Sequence, residues 1–307
     1  MITKIFNAKN YYDNMLFKLS QKINYINFNY NKNLYLSILV VGNDFSKHIY
    51  VKNKISSCKK VNIKILLFKF STNISNKTFI IIIKLLNLNN KINAILIQMP
   101  IITRLNNNNI FSIINLNKDV DMLNPLNFGK YIMNYEKQIS SCTSQSVINF
   151  FKLININLNG LKITLFGFSN IVGKPLLFDL NYNGATITLI NKTDTCFKYI
   201  LLKSDIIISA IGVIDFLFLN NISYGTILID IGINTINNNY IVGDFFFYKF
   251  LKKTKYITPV PGGIGLLTII NLICNIINLF LIQNNLKKGI LLWQDTVNGQ
   301  ILNIKKK

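Results

Sequence analysis

The chain has 307 residues, enough for two ordinary domains, and 50% of them are hydrophobic, which excludes a disordered or fibrous protein in favour of packed cores. Its formal net charge is +22, yet all but one of the 34 basic residues are lysine, the exception being Arg104. Nucleic-acid readout favours the planar, bidentate guanidinium, and no lysine run is interleaved with an aromatic stacking platform; no nucleic-acid partner is expected, and the charge reads as lysines spread over solvated faces.

The first ten residues lack the continuous apolar core of a signal peptide. A helix over Tyr11–Asn24 precedes an apolar strand over Leu34–Val41, which ends at Gly42. A helical stretch over Ser46–Lys60 leads to a strand over Asn62–Phe68, and a helix over Asn76–Leu88 leads to a strand over Ala94–Met99, stopped by Pro100. Strands alternating with helices at this interval predict βαβ units and a parallel sheet.

A second series begins near Ser141, with strands over Ile163–Phe166, Thr186–Ile190, Asp205–Ala210 and Thr226–Ile231. The expected fold class is α/β, with two α/β domains, the second a Rossmann-like doubly wound parallel sheet. Residues 1–140 are assigned to the first domain and 141–267 to the second; a helix over about 268–300 is expected to pack back on the first. Its apolar start, Leu266 to Ile282, carries Asn271, Asn275 and Asn278 at helical spacing, which predicts an amphipathic helix packed on the protein and no membrane span. Cys58, Cys142, Cys196 and Cys274 form no C-x-x-C pair and His48 stands alone, so no metal centre is expected, and a reduced, cytoplasmic compartment is.

Gly167-Phe168-Ser169-Asn170-Ile171-Val172-Gly173-Lys174-Pro175 joins a strand to a helix. A glycine leaving a buried strand, a small hydroxyl residue two positions on and a glycine at the mouth of a helix have the spacing of a dinucleotide-binding turn, with Ser169 in place of the middle glycine. A purely structural strand-to-helix turn uses similar glycines. At the end of the next strand Lys192 favours NADP by placing a cation near the extra phosphate, while Asp194 keeps NAD open.

The first domain carries a separate cluster. Tyr50 and Lys54 lie four apart on one helix face, Gln98 at a strand end, and Asp121 just beyond Lys118-Asp119-Val120. An amine in partly apolar surroundings beside hydrogen-bonding neighbours can work as an acid or base near neutral pH. A surface lysine in a lysine-rich chain is the alternative.

Tyr50-Val51-x-x-Lys54, Ile97-Gln98-Met99-Pro100, Lys118-Asp119-Val120-Asp121, Cys142-Thr143, the Gly167–Pro175 turn, Ile229-Asp230-Ile231-Gly232-Ile233-Asn234, Val242-Gly243-Asp244 and Thr258-Pro259-Val260-Pro261-Gly262-Gly263-Ile264-Gly265 occur in that order. Together they resemble the bifunctional methylenetetrahydrofolate dehydrogenase/methenyltetrahydrofolate cyclohydrolase family, over nearly the whole chain. The resemblance implies NADP-dependent oxidation of 5,10-methylenetetrahydrofolate and hydrolysis of the methenyl product to 10-formyltetrahydrofolate, by a homodimer serving one-carbon metabolism and purine biosynthesis.

It implies a catalytic set of Lys54, Tyr50, Gln98 and Asp121, with Lys54 handling the proton of ring opening, Tyr50 positioning the folate, Gln98 tuning the amine and Asp121 holding the pterin. Folate binding further involves Ile97, Met99 and the loop Pro261-Gly262-Gly263. Cofactor binding involves Gly167, Phe168, Ser169, Gly173, Lys192 and Ile233. Four departures stand out: Met122 where the family usually has glycine, Ser144 where proline is usual, Leu266-Leu267 in place of proline-methionine, and Phe168 where some members carry arginine. A monofunctional dehydrogenase of the same family, and a basic nucleic-acid-binding protein with a Rossmann-like core, are the competing readings.

Overall fold

The structure is a computed structural model that describes residues 3–42, 44–101, 105, 107–135, 139–191, 197–236 and 240–286. The first half contains β1 (Lys4–Ile5), α1 (Lys9–Tyr30), β2 (Tyr35–Val41), α2 (Phe45–Lys60), β3 (Lys64–Phe70), α3 (Asn76–Leu88), β4 (Ala94–Ile97), α4 (Asn107–Ile113) and α5 (Pro125–Ile132). The second contains α6 (Cys142–Leu153), β5 (Lys162–Phe166), α7 (Gly173–Tyr182), β6 (Thr186–Ile190), α8 (Lys198–Leu202), β7 (Ile206–Ser209), β8 (Ile227–Asp230), β9 (Asn234–Ile236), β10 (Tyr240–Val242), β11 (Tyr256–Ile257) and α9 (Ile264–Gln283).

One unit comprises Asp13–Ser140 and the chain from Ile269 onward. Its sheet is parallel, in the order β3-β2-β4, with Leu39 of β2 opposite both Phe68 and Ile97. β2 is the central strand, and Leu36–Val41 are all buried, which is why this strand reads as an unbroken apolar run rather than an alternation. Helix α3 starts where Ser75 Oγ accepts the Thr78 N–H at 3.1 Å.

Helix α9 packs back on this unit. By length and mean hydropathy (2.2) it could cross a membrane, but 78% of that apolar window is buried inside the protein. Of the three asparagines expected to form a polar stripe, Asn271 and Asn275 are themselves buried and Asn278 is half-buried. Asn275 Nδ2 donates to the carbonyls of Val120 at 2.9 Å and Ser140 at 2.8 Å, so the asparagine satisfies loop carbonyls inside the core instead of meeting water. At the far end Gln283 Nε2 donates to the carbonyls of Asn93 and Asn117. The helix ends at Gln283, and the expected continuation beyond residue 286 lies outside the described residues.

The other unit comprises the N-terminal segment through Tyr12 and Ser141–Thr268. Its main sheet has six strands, all parallel, in the order β6-β5-β7-β8-β11-β1, and β9 and β10 form a separate antiparallel pair. The N-terminal segment therefore belongs here and not with residues 13–140, unlike the assignment of residues 1–140 to one domain. β1 pairs with β11, and Ala8 N–H donates to Gly262 O at 2.9 Å. Two-residue strands carry no periodicity, so neither β1 nor β11 was legible before pairing.

Along β7, Ile206 and Ile208 pack on one face with Phe150, Leu165 and Leu176, and Ile207 packs on the other with Phe166, Leu228 and Phe250. Both faces of the sheet are covered, as parallel strands require. From β5 the chain adds β6 on one side and β7 on the other. The strand order reverses there, placing the topological switch point at the carboxyl ends of β5 and β7.

Candidate active site

The residues proposed for acid–base work stand on α2 and at the end of β4. Lys54 is 5% exposed, and its Nζ donates to Gln98 Oε1 at 3.0 Å. Gln98 is held in turn: its backbone N–H donates to Leu39 O at 2.9 Å and its Nε2 to Met99 O at 2.9 Å. With the amide nitrogen committed, the oxygen faces the amine. Lys54 Nζ also lies 4.7 Å from the centroid of the Tyr50 ring, as the four-residue spacing on α2 predicts. Cys58 follows one turn further on; burial pushes its thiol up to about 12 against the opposing pull of Lys54, so it stands beside the amine as a neutral group. Ile97, on β4, is buried. Met99, next to Gln98, is half-buried, and Met99–Pro100 is a cis peptide.

The loop carrying Asp121 is built by its neighbours. Lys118 Nζ donates to the carbonyls of Leu86, Asn87 and Asn89 at 3.0, 2.7 and 2.8 Å, closing the carboxyl end of α3. Burial holds this amine below its ordinary value. Asp119 is fully buried and accepts the N–H groups of Leu123 and Asn124 and the Asn127 amide, each at 2.9 Å. Burial raises its carboxyl, those three donors oppose the rise, and the neighbouring Asp121 charge adds to it. Lys118 and Asp119 are thus structural, and Asp121 is the half-buried carboxylate left at the loop surface. Met122 sits at φ 57, in the left-handed region, which accounts for the glycine usual in the family.

In the other unit the Gly167 turn lies at the switch point. Gly167 has φ +100, and a Cβ there would come 2.7 Å from Ala210 O; a Cβ on Gly173 would come 2.2 Å from Gly167 O. Both positions therefore require glycine for close approach of backbone to backbone. Ser169 Oγ accepts the N–H groups of Val172 at 3.2 Å and Gly173 at 3.5 Å, and Ser169 O accepts that of Lys174 at 3.0 Å. The turn thus uses part of the helix amino terminus internally and leaves the exposed Ser169 hydroxyl hydrogen as a donor, an arrangement that fits a phosphate oxygen. Phe168 is exposed, with Lys174 Nζ 5.3 Å from its ring centroid. Ile233 is exposed just past the end of β8. Lys192, the basis for preferring NADP, lies outside the described residues.

Pro261 follows a cis peptide, Gly262 has φ +105, and a Cβ on Gly263 would lie 2.5 Å from Pro259 O, so this loop is backbone packed on backbone. Two departures from the family acquire a purpose. Ser144 Oγ bonds Asp179 Oδ2 at 2.5 Å in a buried pair, and Leu267 fills the core beside Val147 and Ile264. Asp230 and Asp244, whose motifs carry no assigned role in the sequence, are both buried at the ends of sheet connections. With only 12 acidic residues in the chain, a carboxylate ending an apolar strand was the available signal.

Residues 6–121 match the sequence profile of the tetrahydrofolate dehydrogenase/cyclohydrolase catalytic domain, and residues 141–284 match that of the tetrahydrofolate dehydrogenase/cyclohydrolase NAD(P)-binding domain. The chain is 40% identical over 243 residues to the bifunctional protein FolD of Buchnera aphidicola subsp. Cinara cedri, covering 78% of this chain and 85% of that protein. The crystal structure of the bifunctional methylenetetrahydrofolate dehydrogenase/cyclohydrolase FolD from Campylobacter jejuni is similar with a TM-score of 0.85 at 30% identity, covering 92% of this chain and 100% of that one. The Trypanosoma brucei dehydrogenase-cyclohydrolase, complexed with NADP and an inhibitor, shares the fold with a TM-score of 0.87 at 23% identity, over 91% and 98% of the two chains. With both domain profiles matched in order along one chain, the protein belongs to the tetrahydrofolate dehydrogenase/cyclohydrolase family.

Proposed function

We infer that the protein oxidises 5,10-methylenetetrahydrofolate to the 5,10-methenyl cation with NADP and hydrolyses that cation to 10-formyltetrahydrofolate. The single observation that carries the reading is the buried Lys54–Gln98 hydrogen bond inside a matched dehydrogenase/cyclohydrolase catalytic domain. When bound, the dinucleotide accepts the hydride, and the electron push comes from the folate nitrogen; the chain's own task in that step is alignment. Gly167, Ser169 and Gly173 hold the pyrophosphate, with Phe168 and Ile233 beside the cofactor and Lys192 selecting NADP over NAD.

Ring opening asks more of the side chains. Water oxygen adds to the methenyl carbon, Lys54 Nζ takes a proton from it, and the carbon–N5 bond breaks as N5 is protonated; the formyl group stays on N10 and one proton is released overall. Gln98 fixes Nζ by accepting its hydrogen bond, and Tyr50 packs along the amine and the folate ring. Asp121 accepts paired hydrogen bonds from the amino-pyrimidinone edge. Ile97, Met99 and Pro261-Gly262-Gly263 complete the folate contacts. Residues 13–140 with α9 carry Lys54, Tyr50, Gln98 and Asp121, and residues 141–268 carry the cofactor residues and the Pro261-Gly262-Gly263 loop. The same reading places the enzyme in the cytoplasm as a homodimer supplying formyl groups for purine biosynthesis.

Purified protein given methylenetetrahydrofolate and NADP is expected to form NADPH and accumulate the formyl product. Folded protein that does neither would refute the assignment, and hydride transfer without ring opening would leave the monofunctional dehydrogenase. Titrating NADP against NAD, and repeating the titration with Lys192→Ala, tests the cofactor preference.

A further inference from the structure

Two buried carboxylates of the cofactor unit take no part in the chemistry above. Asp244 is fully buried and accepts five hydrogen bonds. Its Oδ2 receives the Ser209 hydroxyl at 2.6 Å and the N–H groups of Ile211 at 3.1 Å and Gly212 at 3.3 Å. Its Oδ1 receives the Val213 N–H at 3.1 Å and the Asn234 amide at 2.8 Å. Three consecutive backbone N–H groups beyond β7 therefore converge on one side chain.

Asp230, at the end of β8, fixes Asp244 itself. It accepts the N–H groups of Gly232 at 2.9 Å, Asp244 at 3.0 Å and Phe245 at 2.8 Å. The packing is reciprocal: a Cβ on Gly232 would lie 2.0 Å from Asp244 Oδ1, and one on Gly243 would lie 2.0 Å from Asp230 Oδ2. All these donors are neutral, so the Asp244 charge is held by dipoles drawn from the connections that follow two adjacent strands.

The location gives the arrangement its meaning. The segment bound to Asp244 begins right after Ala210, whose carbonyl leaves no room for a side chain on Gly167. Val213 (41% exposed), Ile214 (43%) and Ile233 (45%) stand at the tips of the connections that Asp244 ties together. Exposed apolar side chains on rigidly held backbone beside a dinucleotide turn form a surface against which a planar ring can pack.

We propose that Asp244 is a positioning residue for the dinucleotide: it holds the connections after β7 and β8 at a fixed height beside the Gly167 turn, so that cofactor affinity depends on its carboxylate. The inference rests on the cofactor reading given above. In Asp244→Asn the carboxylate charge is lost with the shape kept. Its KM for NADP is expected to rise by about tenfold or more, with kcat changing by less than about threefold. Hydrolysis of preformed methenyltetrahydrofolate, which consumes no dinucleotide, is expected to stay at the parent rate.

An unchanged KM for NADP overturns the proposal, as does an equal fall in both activities, the mark of a merely structural residue. If Asp244→Asn fails to fold, Ser209→Ala, which removes one of the five donors, decides: a smaller rise in KM with hydrolysis intact supports the role, and an unchanged KM refutes it. Parent enzyme that reduces neither NADP nor NAD would refute the functional reading before any variant is compared. Active parent with an unaffected variant refutes this inference alone.

Discussion

Gln98 points its amide oxygen at the Lys54 amine because its amide nitrogen is already committed to the carbonyl of Met99. The orientation is set by the backbone of the β4 end and not by the lysine. Removing the Lys54 amine should therefore leave Gln98 in place, whereas removing the Gln98 amide takes a buried acceptor away from that amine.

Lys54→Met is expected to lower the cyclohydrolase rate by about 10²- to 10⁴-fold, the usual worth of a proton-transferring side chain, while sparing most of the dehydrogenase rate. Gln98→Leu should reduce cyclohydrolysis less steeply. Separate assays of the two steps check both variants; equal loss of the two activities in Lys54→Met would contradict the division of labour.

Asp119→Ala should destabilise the catalytic unit by about 3 kcal/mol or more, because it strands two buried backbone N–H groups and the Asn127 amide at roughly 1–3 kcal/mol each. A urea unfolding midpoint measures it. A shift below about 1 kcal/mol would mean that the loop around Asp121 is held by something other than this carboxylate.

Met122→Gly sets two effects against each other. Relief of left-handed backbone is worth about 1–2 kcal/mol, while loss of a Met side chain left only 4% exposed costs about 1.5–3 kcal/mol. Burial wins narrowly, and a net loss of about 1 kcal/mol is expected on denaturant titration. A gain in stability would show that strain outweighs packing at this position.

Burial raises the Asp230 carboxyl from 3.8 to about 7, against the opposing donation of the Asp244 N–H and of the Phe245 and Gly232 N–H groups, with the Asp244 charge adding to the rise. Between those two values the folded chain holds a proton that the unfolded chain does not. The associated stability is therefore complete below about pH 4, is lost as pH rises toward 7 and is gone above it, amounting to a few kcal/mol. Asp119 slopes the same way, so the comparison is with Asp230→Asn, whose unfolding midpoint should vary less between pH 5 and pH 8 than the parent's. Identical slopes would show that Asp230 titrates normally.

Much of the architecture was legible before any packing was known. The run Leu36–Val41 announced a strand covered on both faces, and the 167–175 glycine spacing announced a strand-to-helix turn, because both depend only on neighbours along the chain. The spacing of Tyr50 and Lys54 likewise required nothing but a helix.

Other features needed the folded chain. Residues 4 and 5 join a sheet through Tyr256 and Ile257, about 250 positions away, and two residues carry no period to reveal it. Lys118 and Asp119 separate from Asp121 only once the end of α3 and the amide of Asn127 are in place to receive them. The asparagines of α9 suggested a wet face until the carbonyls of Val120 and Ser140 met one of them inside the core. The chain's sequence determined the longer strands and helices and the glycine-bearing strand-to-helix turn, since local sterics and hydrophobic period suffice for those. Only tertiary structure decided which polar groups are satisfied by which, because a buried donor finds its acceptor across segments that sequence distance does not order.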